Sequence, residues 1–228
     1  MTLLALFFFP EQIRQFPKSI TTVASDWGDF VLPDRSEVSI GPNSRLDLEG
    51  FDKKQRVVEH VEGEATYKVE HDPLHPFVVK TEFAIVEAVG TQFAIDHRAN
   101  KRTVVTMCDG TADISRRSRL WESGTQATVR AVKGQQVTIE PGKPLVVRSV
   151  DSDACQDLER RHIYFHQTPV AEAIDEFNRR NVRQIAMPRD AKAQLITVSG
   201  RFKVDDPAFF ADYLEQDLRR HRESRNNN

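Results

Sequence analysis

Apolar and polar residues alternate through most of the first 150 positions. In Glu64-Ala65-Thr66-Tyr67-Lys68-Val69-Glu70, Ala65, Tyr67 and Val69 fall on one side and the charges on the other, the period of two that a half-buried antiparallel strand requires. Pro33-Asp34, Gly41-Pro42-Asn43, Glu62-Gly63, His71-Asp72-Pro73, Cys108-Asp109-Gly110 and Pro141-Gly142 punctuate such runs, too closely spaced for helices to fit between them. The pattern predicts a mainly β domain over residues 19–150, either a sandwich or a short solenoid of antiparallel strands, since both bury one face of each short strand. Residues 116–125 read as a hairpin arm or loop whose positive cluster is a solvated surface.

After residue 150 the pattern changes. Residues 151–162 read as a polar linker, and Thr168-Pro169 as a capping residue followed by proline at the first helical position. Val170, Ala173, Ile174 and Phe177 then build one apolar stripe, while Glu172, Asp175, Glu176 and Arg179 stay wet. That helix is expected to end near Asn181. A short strand around Gln184 to Ala186, an alternating strand over Ile196 to Val204, and a second helix opened by Asp206-Pro207 and striped by Phe210, Tyr213, Leu214 and Leu218 complete the unit. Residues 163–218 are thus a small two-layer α+β domain, and residues 219–228 a disordered tail without apolar side chains.

Composition narrows the classes. The 32 basic residues nearly cancel the 34 acidic ones, and a net charge of −2 argues against nucleic acid as the main partner. Cys108 and Cys155 are the only cysteines, too few for a disulfide lattice and without the CxxC spacing of zinc or redox sites. Two unpaired thiols is the simpler reading, and a single disulfide the other. The apolar run Leu3 to Phe9 stops at Pro10, short of the roughly 20 residues that a membrane helix needs, and it lacks the basic region and cleavage site of a signal peptide. Residues 1–18 are therefore an apolar stub, either the outer end of a membrane helix or a buried strand.

Candidate chemistry is sparse, and no cofactor or metal is expected. His71 and His75 have the spacing of a helical zinc pair, but Pro73 and Pro76 forbid that helix. Pro141-Gly142-Lys143 lacks the first glycine of a phosphate loop, Val137 standing in its place. Ser123-Gly124 and Ser199-Gly200 make no nucleophile elbow. Glu62 and Glu64, two apart on the approach to a strand, would suit a paired-carboxylate site, but without a second acidic pair they read as a solvated strand face. No enzyme acting on a separate substrate is indicated.

Leu32-Pro33-Asp34-Arg35-Ser36-Glu37-Val38-Ser39-Ile40, Asn43-Ser44-Arg45-Leu46, Glu62-Gly63-Glu64-Ala65, His71-Asp72-Pro73, Pro76-Phe77-Val78-Val79, Gly90-Thr91-Gln92-Phe93 and Asp109-Gly110 resemble, in order and spacing, the periplasmic portion of the FecR-type (iron-siderophore sensor) anti-sigma family. Thr168-Pro169-Val170, Phe177-Asn178-Arg179 and Val198-Ser199-Gly200-Arg201-Phe202 look like that family's domain similar to the short N-terminal (STN) domain of TonB-dependent receptors and secretins. The resemblance spans roughly residues 20–218. Arg35 departs from it where a turn glycine is usual, and the family's cytoplasmic segment that grips the sigma factor has no counterpart here.

The resemblance implies a signal relay in the periplasm, tethered to the inner membrane by the helix whose end the apolar stub would be. Its partners would be the signalling domain of a TonB-dependent outer-membrane receptor and, through a cytoplasmic segment, an extracytoplasmic-function (ECF) sigma factor. Thr197, Ser199, Arg201 and Lys203, on the polar side of one strand, are the candidate partner-binding residues, by edge-to-edge strand pairing. Because some members of the family cleave themselves at a Gly-Thr pair in this motif, Gly90 and Thr91 are the candidate self-cleavage site: the hydroxyl attacks the preceding carbonyl in an N-to-O acyl shift, eased by the bare glycine. The competing reading is a periplasmic or extracellular β-sandwich module binding a ligand or polysaccharide on a platform of Trp27, Tyr67 and Trp121.

Overall fold

The computed structural model describes residues 17–51, 56–98, 101–117, 128–150 and 161–226. Thirteen strands form one continuous sheet that folds over into two layers. One layer holds β1 (Ser19–Thr21), β4 (Arg45–Phe51), the first half of β5 (Arg56–Lys68), β6 (Phe77–Lys80), β7 (Ala84–Ala88), β10 (Thr111–Arg116) and β11 (Thr128–Val132). The other holds β2 (Gly28–Val31), β3 (Glu37–Ile40), the second half of β5, β8 (Gln92–Arg98), β9 (Arg102–Asp109), β12 (Gln135–Ile139) and β13 (Val146–Ser149).

β5 is the splice between the layers. It changes partners at Gly63, whose φ of +94° suits a residue without a side chain; a Cβ there would lie 2.5 Å from Ser44 Cα. Between the layers, alternate residues of both meet in one core: Phe77, Val79, Val86 and Ile114 face Ile40, Tyr67, Phe93, Ile95 and Val105, all essentially without solvent exposure. Each such side chain contributes about 1.5–3 kcal/mol by leaving water. The arrangement is the sandwich alternative, with one exception to antiparallel pairing: β5 and β6 run parallel, because residues 69–76 return the chain to the same end of the sheet.

The C-terminal unit is a two-stranded antiparallel sheet, β14 (His162–Pro169) with β15 (Thr197–Lys203), packed on α1 (Val170–Arg180), α2 (Ala191–Gln194) and α3 (Pro207–Asn226). The stripe of Val170, Ala173, Ile174 and Phe177 is fully buried. Phe177 stacks on Phe210 at 4.0 Å between centroids, and Phe165 and Phe202 pack around them.

Several expectations are corrected. Pro169 is the N-cap of α1, and no side chain caps it. No strand forms at 184–186; the Asn178 side chain takes both backbone groups of Ile185, accepting from its N–H at 2.6 Å and donating to its carbonyl at 2.9 Å, so that no strand partner is needed. The tail expected from residue 219 continues α3 to Asn226, helped by a Glu215–Arg219 pair one turn apart. Arg116 and Arg117 are not freely solvated: Arg116 donates to the Glu140 carbonyl and Arg117 to the Thr81 carbonyl and to Glu59. The rest of the expected 116–125 arm, Trp121 included, most of the apolar stub and most of the linker lie outside the described residues.

Candidate functional site: the contact between the two units and the Gly90–Thr91 turn

The outer face of the second layer carries a row of mostly small polar side chains across seven strands: Asp29 pairs with Ser39, then Thr66, Ala94, Thr106, Gln136 and Arg148 in succession. This row floors a cleft of about 770 Å³ whose opposite wall comes from β14, β15 and α1, including His162, Tyr164, Arg201 and Glu172. The charged side of the Glu64–Glu70 strand therefore faces the C-terminal unit over part of its length, and Glu64 and Thr66 are buried.

Glu62 and Glu64 do not act as a pair. The bend at Gly63 leaves Glu62 exposed and turns Glu64 inward. There Arg180, at the end of α1, grips both carboxylate oxygens of Glu64 and also meets Glu176. Arg98 bridges Asp96 (3.2 Å) to Glu176 (2.5 Å), joining β8 to α1 a second time. Burial alone would push the Glu176 carboxyl up, but Arg180, Arg179 and Arg98 outweigh it and hold it far below the usual range. Burial likewise opposes the Arg180 charge, and Glu64 and Glu176 overcompensate and raise it. The sequence hides this constellation, because its contacts between the two units span 78 positions (Arg98–Glu176) and 116 positions (Glu64–Arg180).

Gly90 and Thr91 sit at the turn between β7 and β8. Gly90 has φ of +119°, and a Cβ there would lie 2.8 Å from His71 Cβ and 2.9 Å from His71 Cα, with His71 Nδ1 nearer still. Thr91 is 7% exposed, its carbonyl accepts from Val69 N–H at 2.9 Å, and its Oγ1 is buried with no hydrogen-bond partner among the described residues. The segment bearing His71 is fixed by Arg56, itself 4% exposed. That guanidinium donates to the carbonyls of Glu70 (2.8 Å), Asp72 (3.2 Å) and His75 (2.6 Å) and to Asp34 Oδ2 (3.2 Å). Pro33-Asp34 and His71-Asp72-Pro73 thus become one structure around a single cation.

In the C-terminal unit, Thr197, Ser199, Arg201 and Lys203 are all exposed on β15, opposite buried Val198 and Phe202. Ser199 Oγ also accepts from Gln167 N–H at 2.8 Å, where β14 bulges. The aromatic platform does not form: Tyr67 is wholly buried and stacks on Phe93 at 5.1 Å, Trp27 lies beneath the Arg161 guanidinium, and Trp121 is outside the described residues. His75 pairs with Asp72 at 2.9 Å, and no metal-binding cluster occurs among the described residues. Pro141-Gly142 is a turn, Lys143 N–H donating to the Glu140 carbonyl. Cys108 is disulfide-bonded and not a free thiol; Cys155 is the only other cysteine in the sequence. No helix among the described residues is long and apolar enough to cross a membrane.

Residues 18–113, the greater part of the layered sheet, match the family model for the FecR protein. Over this segment the chain is similar to the FecR family. Two crystal structures of a candidate anti-sigma factor from Parabacteroides distasonis share the fold. One aligns with a TM-score of 0.72 at 18% identity, covering 87% of this chain and 91% of the other. The second gives 0.69 at 20% identity, covering 90% of each. Both alignments take in most of the C-terminal unit as well as the sheet. No curated protein matches the chain.

Proposed function

We propose that this chain is the signal-receiving portion of a FecR-type anti-sigma regulator, lying in the periplasm, tethered to the inner membrane and relaying the state of a TonB-dependent receptor to an ECF sigma factor. The observation that carries the reading is a sheet that matches the FecR family model over residues 18–113 and is joined by buried ion pairs to a small α+β unit, which we read as STN-like. In that unit, among the described residues, β15 has a hydrogen-bonded strand on one side only. The bare edge is the place for a strand of the receptor's signalling domain, with backbone hydrogen bonds giving affinity and Thr197, Ser199, Arg201 and Lys203 giving selectivity. The Cys108 disulfide supports an oxidising compartment. Amide hydrogen exchange tests the contact: the signalling domain should slow exchange along β15, and unchanged exchange there at saturation would remove this edge.

Self-cleavage at Gly90–Thr91 belongs to the same reading. It is supported by a buried Thr91 hydroxyl without a partner and a glycine in a conformation that other residues avoid. Both pieces would stay together, because cleavage falls between strands held on opposite sides of it: β5 pairs with β8, and β7 with β10. Prolonged incubation of the purified chain followed by mass spectrometry tests this; a chain that stays whole contradicts it.

A further inference from the structure

His71 makes no hydrogen bond or ion pair among the described residues, yet it is not loosely placed. Arg56 holds the carbonyls of the residues on either side, Glu70 and Asp72, and the Glu70 N–H donates to Ser36 Oγ at 3.1 Å. The effect is to press His71 onto Gly90 so closely that no side chain fits at position 90. Positive φ alone does not demand such crowding: at Gly142 a Cβ would meet nothing within 4 Å, whereas at Gly90, as at Gly63, it would meet backbone within 3 Å. At Gly90 the glycine makes room for an imidazole, one peptide bond from an unpartnered threonine hydroxyl. An exposed imidazole can also exchange its proton with water.

We propose that His71 is the proton-transfer residue of an acyl shift at Gly90–Thr91, an assignment that rests on the self-cleavage reading above. His71 takes the proton from Thr91 Oγ1 as that oxygen bonds to the Gly90 carbonyl carbon. As the carbon–nitrogen bond breaks, it hands the proton to the departing Thr91 nitrogen. The products are an ester between Gly90 and the Thr91 side chain and a free amine at Thr91. Water then hydrolyses the ester to the Gly90 carboxylate and the Thr91 hydroxyl, so the atoms balance without an oxidant or a cofactor. Arg56 acts as a positioning residue, since it touches the loop and not the reacting atoms.

The test is the rate at which the fragment beginning at Thr91 appears, followed by mass spectrometry in the full chain, the His71→Ala variant and a Thr91→Ala control. Because the His71 ring is exposed, His71→Ala should fold, which circular dichroism and the unfolding midpoint check. Loss of a positioned acid–base group should slow cleavage about 10²- to 10⁴-fold, and free imidazole should restore part of the rate in His71→Ala, which a purely structural role would not permit. Folded His71→Ala that cleaves at the wild-type rate, or slow cleavage that imidazole leaves unchanged, would overturn the assignment while leaving self-cleavage standing. A wild-type chain that never cleaves would overturn both.

Discussion

Arg180 holds Glu64 by two parallel hydrogen bonds, Nε to Oε1 at 2.9 Å and Nη2 to Oε2 at 2.6 Å, across 116 positions of sequence. Neither side chain is more than 7% exposed. The pair fixes the end of α1 against the bend of β5, and Glu176 and Arg98 extend it to β8. In the proposed relay, these ion pairs are the route from the C-terminal unit into the sheet.

Removing one member leaves the other buried and uncompensated, at a cost of about 3–5 kcal/mol. Glu64→Ala and Arg180→Ala should each lower stability by that order in urea unfolding. The double variant should cost clearly less than the sum of the two. Strict additivity would mean that the pair does not couple the units.

His60 sets a pH dependence. Gly63 O can only accept, so His60 Nε2 carries the hydrogen and Nδ1 accepts from Tyr67 OH. Burial, reinforced by neighbouring His97, lowers the imidazole to about 3. The unfolded chain binds a proton near the ordinary value of 6.5 and the folded chain does not, so stability is complete above pH 6.5 and falls as pH drops toward 3. Between pH 6.5 and 5 the loss is about 2 kcal/mol from this residue. Urea midpoints across that range measure it, and His60→Gln should flatten the slope.

Gly90→Ala should be more harmful than Gly142→Ala. Both glycines have positive φ, but a Cβ meets His71 at the first and nothing within 4 Å at the second. Backbone strain alone costs about 1–3 kcal/mol. Thermal unfolding should show Gly142→Ala within that range and Gly90→Ala beyond it; equal losses would mean that His71 yields freely.

On β15, Arg201→Glu with Lys203→Glu should weaken binding of the receptor's signalling domain by at least about tenfold, roughly 1.4 kcal/mol. Circular dichroism and the unfolding midpoint check that the double variant folds, both side chains being exposed on β15. Unchanged affinity would remove this face from the interface.

Local pattern made much of this molecule legible. Ala65, Tyr67 and Val69 alternate inward as their period requires, and Val170, Ala173, Ile174 and Phe177 form the buried stripe of α1. What local pattern misses is long-range or side-chain mediated. Glu64 looked solvated because its partner is 116 positions away. The strand expected at 184–186 fails because one asparagine satisfies Ile185. The His71–Gly90 contact combines two motifs visible in the sequence, but only the fold brings them together around Arg56.

The central claim is that this chain receives its signal from a receptor domain. Calorimetric titration of the folded chain with the signalling domain of the TonB-dependent receptor encoded nearest to it tests that most directly. The account predicts saturable one-to-one binding; no binding heat at any temperature from two demonstrably folded partners would contradict it.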